Sequence, residues 1–249
     1  MSICITGGAG FVGSSLARRY RARYPERRIV AFDNLKRRGA EFNLADFKAL
    51  DIEFEHGDVR NTGDLEAVAG DFDLLIDASA EPSAHAGADG SPNYLIDTNL
   101  GGTLNCLAWA RKRGSALLFL STSRVYSLSA LRQLPLREEQ TRLSVDTTKT
   151  LPSGLSAAGI DETFDTSRHR SLYGATKLAS ELFVQEYCAT YGLKAIINRC
   201  GADGAMDHVF VVTLKPPPRP DSNGRRLDRP DLLSYLQGWA HQYDPEDTS

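Results

Sequence analysis

Cysteine is scarce in the 249 residues: Cys4, Cys106, Cys188 and Cys200 stand far apart, with no CxxC step and no Cys/His spacing. That excludes a disulfide framework and a zinc site as organising features. The thiols read as small buried hydrophobes in a reducing compartment. Long apolar runs are missing as well, and nothing approaches the ~20 uninterrupted apolar residues that a bilayer span needs. Met1-Ser2-Ile3-Cys4-Ile5-Thr6 runs straight into glycines without a charged leader and an apolar core, so a secretory signal is not expected and a cytoplasmic setting is. A surplus of one charge is also absent. Lys+Arg number 29 against 32 Asp+Glu, a formal charge of −3, which gives nucleic acid or anionic lipid no general attraction. There is no internal repeat and no low-complexity block. What is there, 41% hydrophobic and 24% charged residues, is the composition of a folded chain with room for one large domain. A small molecule is the expected partner.

Over residues 1–201 short apolar runs alternate with amphipathic stretches. Strands are expected at 3–6, 28–32, 52–55, 74–77, 116–120 and 194–198, and helices near 11–23, 61–69, 94–112 and 173–191. Continuous apolar strands belong to a parallel sheet covered on both faces, and right-handed crossovers then make a doubly wound α/β fold. Two regions break the rhythm. Residues 127–172 form a long, mostly polar connection, which reads as a lid or substrate loop or as a disordered insertion. From about Ala202 the pattern fails: one edge strand is expected at Val209–Leu214, confined there by the prolines after it, and one short helix around 231–243. Residues 202–249 are therefore expected to form a divergent short tail with little or no second lobe.

Thr6-Gly7-Gly8-Ala9-Gly10-Phe11-Val12-Gly13 joins the first strand to the first helix. A tight turn without Cβ atoms lets backbone N–H groups and the positive helix end face a pyrophosphate. Gly7, Gly10, Phe11, Val12 and Gly13 are the turn residues expected against a dinucleotide. Asp33 ends the second strand, 20 residues past Gly13, where a carboxylate meets the adenosine ribose hydroxyls and favours NAD over NADP. Arg37 and Arg38, close by, are within reach of a 2′-phosphate. Asn34 follows Asp33 in this turn. Asp58, followed by Val59, sits at the adenine edge or caps the next helix. Ala78-Ser79-Ala80 ends the fourth strand with residues small enough for close approach of a cofactor.

Tyr173-Gly174-Ala175-Thr176-Lys177 places a phenol and an ammonium four residues apart on one helix face. The ammonium is expected to lower the phenol's pKa from about 10, fitting it to take a proton from an alcohol. Ser121-Thr122-Ser123-Arg124-Val125-Tyr126 brings hydroxyls to the carboxyl end of the fifth strand, the edge where doubly wound sheets bind ligands. His85 and His169 read as solvated loop histidines. Arg168 and Arg170 either hold a diphosphate or face solvent.

Taken together, these residues resemble the extended short-chain dehydrogenase/reductase superfamily in its NAD-dependent epimerase/dehydratase branch. The matching pieces are the TGGAGFVG turn, Asp33, Asp97-Thr98-Asn99 with Gly102-Thr103, STSRVY and YGATK. Within the branch, Phe32-Asp33-Asn34-Leu35, His56-Gly57-Asp58-Val59-Arg60-Asn61 and the long connection look most like CDP-tyvelose (CDP-paratose) 2-epimerases. The resemblance implies NAD as cofactor and a nucleotide-diphosphate sugar as substrate, and a homodimer is a candidate assembly. It implies Tyr173 as acid/base, Lys177 on the nicotinamide ribose, Thr122 as hydroxyl partner with Ser123 as fallback, and Asn99 as support for the active-site backbone. No metal is implied. The implied reaction is epimerisation through a transient keto sugar. Dehydratases of the branch usually carry an acidic pair where this chain has Ser123 and Arg124. Net reduction, or NAD binding without turnover, are the other readings, the last because the expected C-terminal lobe is not recognisable.

Overall fold

The computed structural model describes residues 2–83, 91–201 and 209–214. His85 and the expected helix at 231–243 lie outside the described residues. The chain opens with β1 (Ile3–Thr6), α1 (Phe11–Arg23), β2 (Ile29–Asp33), α2 (Asn43–Ala49), β3 (Glu53–His56), α3 (Thr62–Ala67) and β4 (Leu74–Asp77). It continues with α4 (Asn93–Ile96), α5 (Gly102–Arg113) and β5 (Ala116–Thr122). The connection that follows holds α6 (Leu128–Arg132) and two small hairpins, β6 (Leu136–Glu138) with β7 (Leu143–Val145) and β8 (Leu155–Ser156) with β9 (Gly159–Ile160). Then come α7 (Leu172–Tyr191), β10 (Ala195–Cys200) and β11 (Val209–Leu214).

The main sheet runs β11-β10-β5-β4-β1-β2-β3. Six strands are parallel, and β11 lies antiparallel on β10 at one edge. This is the doubly wound order expected of the sequence, with the strand order reversing between β1 and β4, where such sheets open a ligand crevice. Every residue of β1 and β4 is buried, because helices cover both faces. Leu16, Ala17 and Tyr20 of α1 and Phe47 of α2 pack one face against Ile3, Ile5 and Ile29. Trp109 and Cys106 of α5, Val184 of α7 and Leu65 of α3 pack the other against Cys4, Leu75 and Phe119. Each fully buried Leu or Phe contributes roughly 1.5–3 kcal/mol. At the far edge β3 is polar, with Glu53, Glu55 and His56 exposed, as an edge strand that avoids pairing with other chains should be.

Three local features depart from the sequence reading. The helix expected at 94–112 is interrupted by a π-turn over Asp97–Gly101 that separates α4 from α5. α2 was not expected: it is short, and it is held by the Arg18–Asp46 pair at 2.8 Å and by Asn43 Nδ2 donating to the Ala9 carbonyl at 2.8 Å. The connection is built rather than structureless, with Val125, Tyr126, Leu155 and Phe164 forming a small core of their own. Among the described residues no helix is long and apolar enough to cross a membrane.

Candidate active site

β1 ends on a turn only glycine fits. Gly7 has φ +64°, and a Cβ there would meet the Ala78 carbonyl at 2.6 Å, so the turn presses directly on the end of β4. A Cβ on Gly13 would stand 2.1 Å from the Gly7 carbonyl oxygen. The first turn of α1 therefore leans on the glycine turn with nothing between. No side chain caps α1, and its first turn carries no acidic residue. The amides at Gly10, Phe11, Val12 and Gly13 form a positive helix end that suits a diphosphate.

The β2 end shapes the neighbouring pocket. Asp33 Oδ2 accepts the Ala9 N–H at 3.1 Å and Oδ1 accepts the Leu35 N–H at 2.8 Å. The carboxylate thus ties the glycine turn to the loop after β2, and each oxygen keeps a lone pair for a ribose hydroxyl. Asn34 Nδ2 donates to Asp58 Oδ2 at 2.9 Å. The Arg60 guanidinium forks onto the same carboxylate at 2.9 and 2.6 Å, holding Asp58 far below the usual carboxylate range. The α3 cap is Asn61, whose side chain accepts the Gly63 N–H, so the helix-capping reading of Asp58 is corrected. Val59 packs its side chain into the core against Gly102, and its carbonyl accepts from Asn105 Nδ2 at 2.8 Å. Only its backbone amide is left for a ligand. Ala78 and Ala80 are half-buried at the end of β4. Two other contacts carry no local signal: Lys36 and Arg60 both lie over the Tyr94 ring, at 3.1 and 4.9 Å. Beneath the crevice, buried Asp77 accepts from the hydroxyls of Thr6 (2.9 Å), Ser79 (2.6 Å) and Thr103 (2.9 Å).

The phenol end is assembled from β5, the turn Ser123–Val125 and α7. Ser171 caps α7 by accepting the Gly174 N–H at 3.1 Å. A Cβ on Gly174 would lie 2.2 Å from the Arg124 carbonyl, so the helix start sits directly on that turn. Thr122 is buried, and its oxygen accepts the Arg124 N–H at 3.2 Å. Its hydroxyl lies close enough to the Tyr173 phenol to oppose the rise that burial causes there. Asn99, fully buried on the π-turn, accepts the Glu81 N–H at 2.7 Å and donates to the Glu81 carbonyl and to Thr176 Oγ1.

The electrostatics correct one expectation. Burial pushes the Tyr173 phenol above its ordinary value, and the opposing influences are Thr122 and the Arg124 charge rather than Lys177. Lys177 does share the helix face, but its ammonium is buried, donates to the Leu120 carbonyl at 3.0 Å and lies over the Phe119 ring. Burial lowers the Lys177 pKa, against the pull of Asp77. Sequence spacing identified a shared face; the strand-end carbonyl that captures the ammonium was invisible to it. Arg170 donates to the carbonyls of Thr166 and Arg168, and Arg168 faces Asp165 at 3.7 Å. Both spend their charge within the connection. His169 is exposed.

Residues 3–202 match the family described as the NAD dependent epimerase/dehydratase family. A CDP-paratose 2-epimerase of Salmonella typhi is 32% identical over 205 residues, 80% of this chain and 56% of that protein. A dTDP-glucose 4,6-dehydratase of Mycobacterium tuberculosis is 26% identical over 250 residues, 98% of this chain and 66% of that protein. Among solved structures, a dTDP-glucose 4,6-dehydratase of Streptomyces venezuelae with NAD bound is 29% identical at a TM-score of 0.62, over 80% of this chain and 55% of that one. The chain thus spans between about half and two thirds of the length of these relatives.

Proposed function

The chain belongs to the NAD dependent epimerase/dehydratase family, and from that premise we propose that it holds NAD above the glycine turn and epimerises a carbon of a nucleotide-diphosphate sugar. The amides of Gly10–Gly13 receive the pyrophosphate, and Asp33 with Asn34 and Asp58 receives the adenosine. Bound NAD supplies the hydride acceptor and gives the hydride back. This chain's own residues handle the proton and the orientation. Tyr173 takes the proton of the sugar hydroxyl as the carbinol hydride leaves, and returns it when hydride arrives on the opposite face of the keto sugar. Thr122 steadies the reacting oxygen and, with Arg124, supplies the influence that favours phenolate. Lys177, on the same helix face, would hold the nicotinamide ribose.

The observation that carries this reading is the packing of the start of α7, which bears Tyr173, directly against the turn after buried Thr122 on the ligand-binding edge of the sheet. Ser123 and Arg124 beside Thr122, in place of an acidic pair, support epimerisation over dehydration. Dehydration is the second reading, supported by the likeness to dTDP-glucose 4,6-dehydratases. The four free cysteines fit a cytoplasmic protein, and exposed Leu182 and Phe183 on α7 fit a homodimer.

The test is to incubate the purified chain with NAD and a panel of CDP-, dTDP- and UDP-sugars and to resolve the products by mass and by sugar stereochemistry. A product of unchanged mass with one inverted centre supports the epimerase. Loss of water assigns the dehydratase, and bound NAD without any product rejects both.

A further inference from the structure

α7 carries a third residue in the Tyr173–Lys177 stripe: Glu181, again four residues on. The three side chains engage three consecutive residues of β5. Tyr173 stands where Thr122 influences its phenol, Lys177 Nζ donates to the Leu120 carbonyl at 3.0 Å, and Glu181 Oε1 accepts the Ser121 hydroxyl at 2.5 Å. Glu181 does more than its neighbours, because it also receives the Arg199 guanidinium at 2.6, 3.0 and 3.1 Å. Arg199 on β10 is the register partner of Ser121 on β5, so one carboxylate straddles two adjacent strands at a single level. Glu181 is 1% exposed and Arg199 7%.

The other nitrogen of the fork reaches the connection. Arg199 Nη1 donates to the Glu162 carbonyl at 3.1 Å and approaches the Tyr126 hydroxyl at 3.5 Å, while that hydroxyl donates to the Asp161 carbonyl at 3.1 Å. Tyr126 in turn meets the Phe164 ring edge-on at 5.7 Å. A buried ion pair of this kind is a poor source of net stability, because two charges must leave water. What the pair provides here is position, since a planar guanidinium and a carboxylate fix each other in two directions at once.

We propose that Glu181 and Arg199 are positioning residues that set the height of α7 on β5, and thereby the Tyr173–Thr122 contact, while clamping the 161–164 segment of the connection over the same edge. The proposal deepens the assignment of Tyr173 and Thr122 to proton transfer and rests on it. Its test does not need turnover, so failure of the clamp and failure of the enzyme reading are separable: NAD binding and sugar turnover of the unaltered chain are measured first.

Two variants are compared with the unaltered protein: the charge-free pair Glu181→Gln with Arg199→Gln, and the lighter Ser121→Ala, which removes one hydroxyl and no charge. The readouts are the Tyr173 phenol titration by carbon-13 tyrosine NMR, assigned with Tyr173→Phe, and amide exchange across 161–164. The paired variant is expected to move the Tyr173 titration upward as the Thr122 contact loosens. It should also speed exchange at 161–164 by about tenfold or more, with NAD affinity held within about twofold. Ser121→Ala is expected to move the phenol titration in the same direction without changing exchange at 161–164. If the paired variant fails to fold, Ser121→Ala decides the phenol half of the proposal, and Arg199→Lys, which keeps the charge and loses the fork, decides the exchange half. Variants that only melt earlier, with the Tyr173 titration and the 161–164 exchange unchanged, would reduce the pair to a structural element and overturn the proposal.

Discussion

Replacing Gly13 by alanine should cost the chain its dinucleotide while leaving the sheet folded. The added methyl would stand 2.1 Å from the Gly7 carbonyl oxygen and 2.8 Å from the Gly7 carbonyl carbon and Gly8 Cα. All three are backbone atoms of the turn itself, so no side chain can swing aside, and α1 must retreat by more than an ångström to reach ordinary contact. A retreat of that size carries first-turn N–H groups from hydrogen-bond distance of a phosphate oxygen to beyond it. Two charge-assisted hydrogen bonds at about 1.5–3 kcal/mol each are then lost. The expected loss in NAD affinity is about 3–6 kcal/mol, or roughly 10²–10⁴-fold in Kd. Titration calorimetry reads the Kd and circular dichroism confirms the fold. Gly101→Ala is the control, since a Cβ there meets nothing within 4 Å, and it should bind NAD like the unaltered chain. A folded Gly13→Ala protein whose Kd lies within about threefold of the parent would refute the reasoning, because it would place the pyrophosphate somewhere other than against this helix end.

Three further outcomes follow from the same geometry. Tyr173→Phe should keep NAD affinity and lower turnover by about 10²–10⁴-fold; equal turnover would remove the phenol from proton transfer. Burial raises the phenol pKa of Tyr173, and of Tyr126, above 10, so the protonated phenols favour the folded state. That contribution is complete below the unfolded value near 10 and is lost as pH rises through the raised folded values. Denaturant titrations between about pH 8 and 11.5 should therefore show an alkaline fall in stability that is shallower in Tyr173→Phe, and identical slopes would contradict the burial argument. Burial also pushes the Cys4 thiol to about 12 and the Cys188 thiol to about 11, and leaves Cys106 well above its ordinary value. Half-buried Cys200, whose rise Lys177 opposes, should be the thiol that Ellman's reagent reaches first in the native protein, and NAD should slow it. Rapid labelling of a second thiol would show the core to be looser than the structure has it.

The sheet was legible because its signals are local and agree with one another. Ile3–Thr6 and Leu74–Asp77 are apolar at nearly every position, and both appear as fully buried parallel strands with the bounds read from the chain. The glycine turn was legible for the same reason, since a tight turn before an amphipathic helix leaves few alternatives. α2 was not legible, because Leu44 and Phe47 alone make a thin apolar face and the helix owes its place to partners outside its own window, Arg18 on Asp46 and the Ala9 carbonyl on Asn43. The connection was read correctly as long and polar, yet its order comes from Tyr126, Leu155 and Phe164, which are distant in sequence and meet only in three dimensions. At the site, spacing put Tyr173 and Lys177 on one helix face and the family resemblance singled out Thr122, but the expected pull of Lys177 on the phenol is not what the structure has. Periodicity says which face a lysine shares; it is silent on the Leu120 carbonyl that the ammonium prefers. Glu181 was the residue that spacing could have found, since it repeats the interval from Tyr173 to Lys177 once more. Asp77, and Tyr94 beneath Lys36 and Arg60, carry no local signal, because their partners come from other strands and loops.

The central claim is that the glycine turn and the Tyr173 helix converge on one dinucleotide, with the phenol at its nicotinamide end. Titrating carbon-13 tyrosine-labelled protein with NAD and, separately, with ADP-ribose tests it most directly, because the two ligands share every group except nicotinamide. The account predicts that both bind saturably and that NAD alone shifts the Tyr173 resonance strongly. Saturation with NAD that leaves the Tyr173 resonance unmoved, or no binding of either ligand, would contradict it.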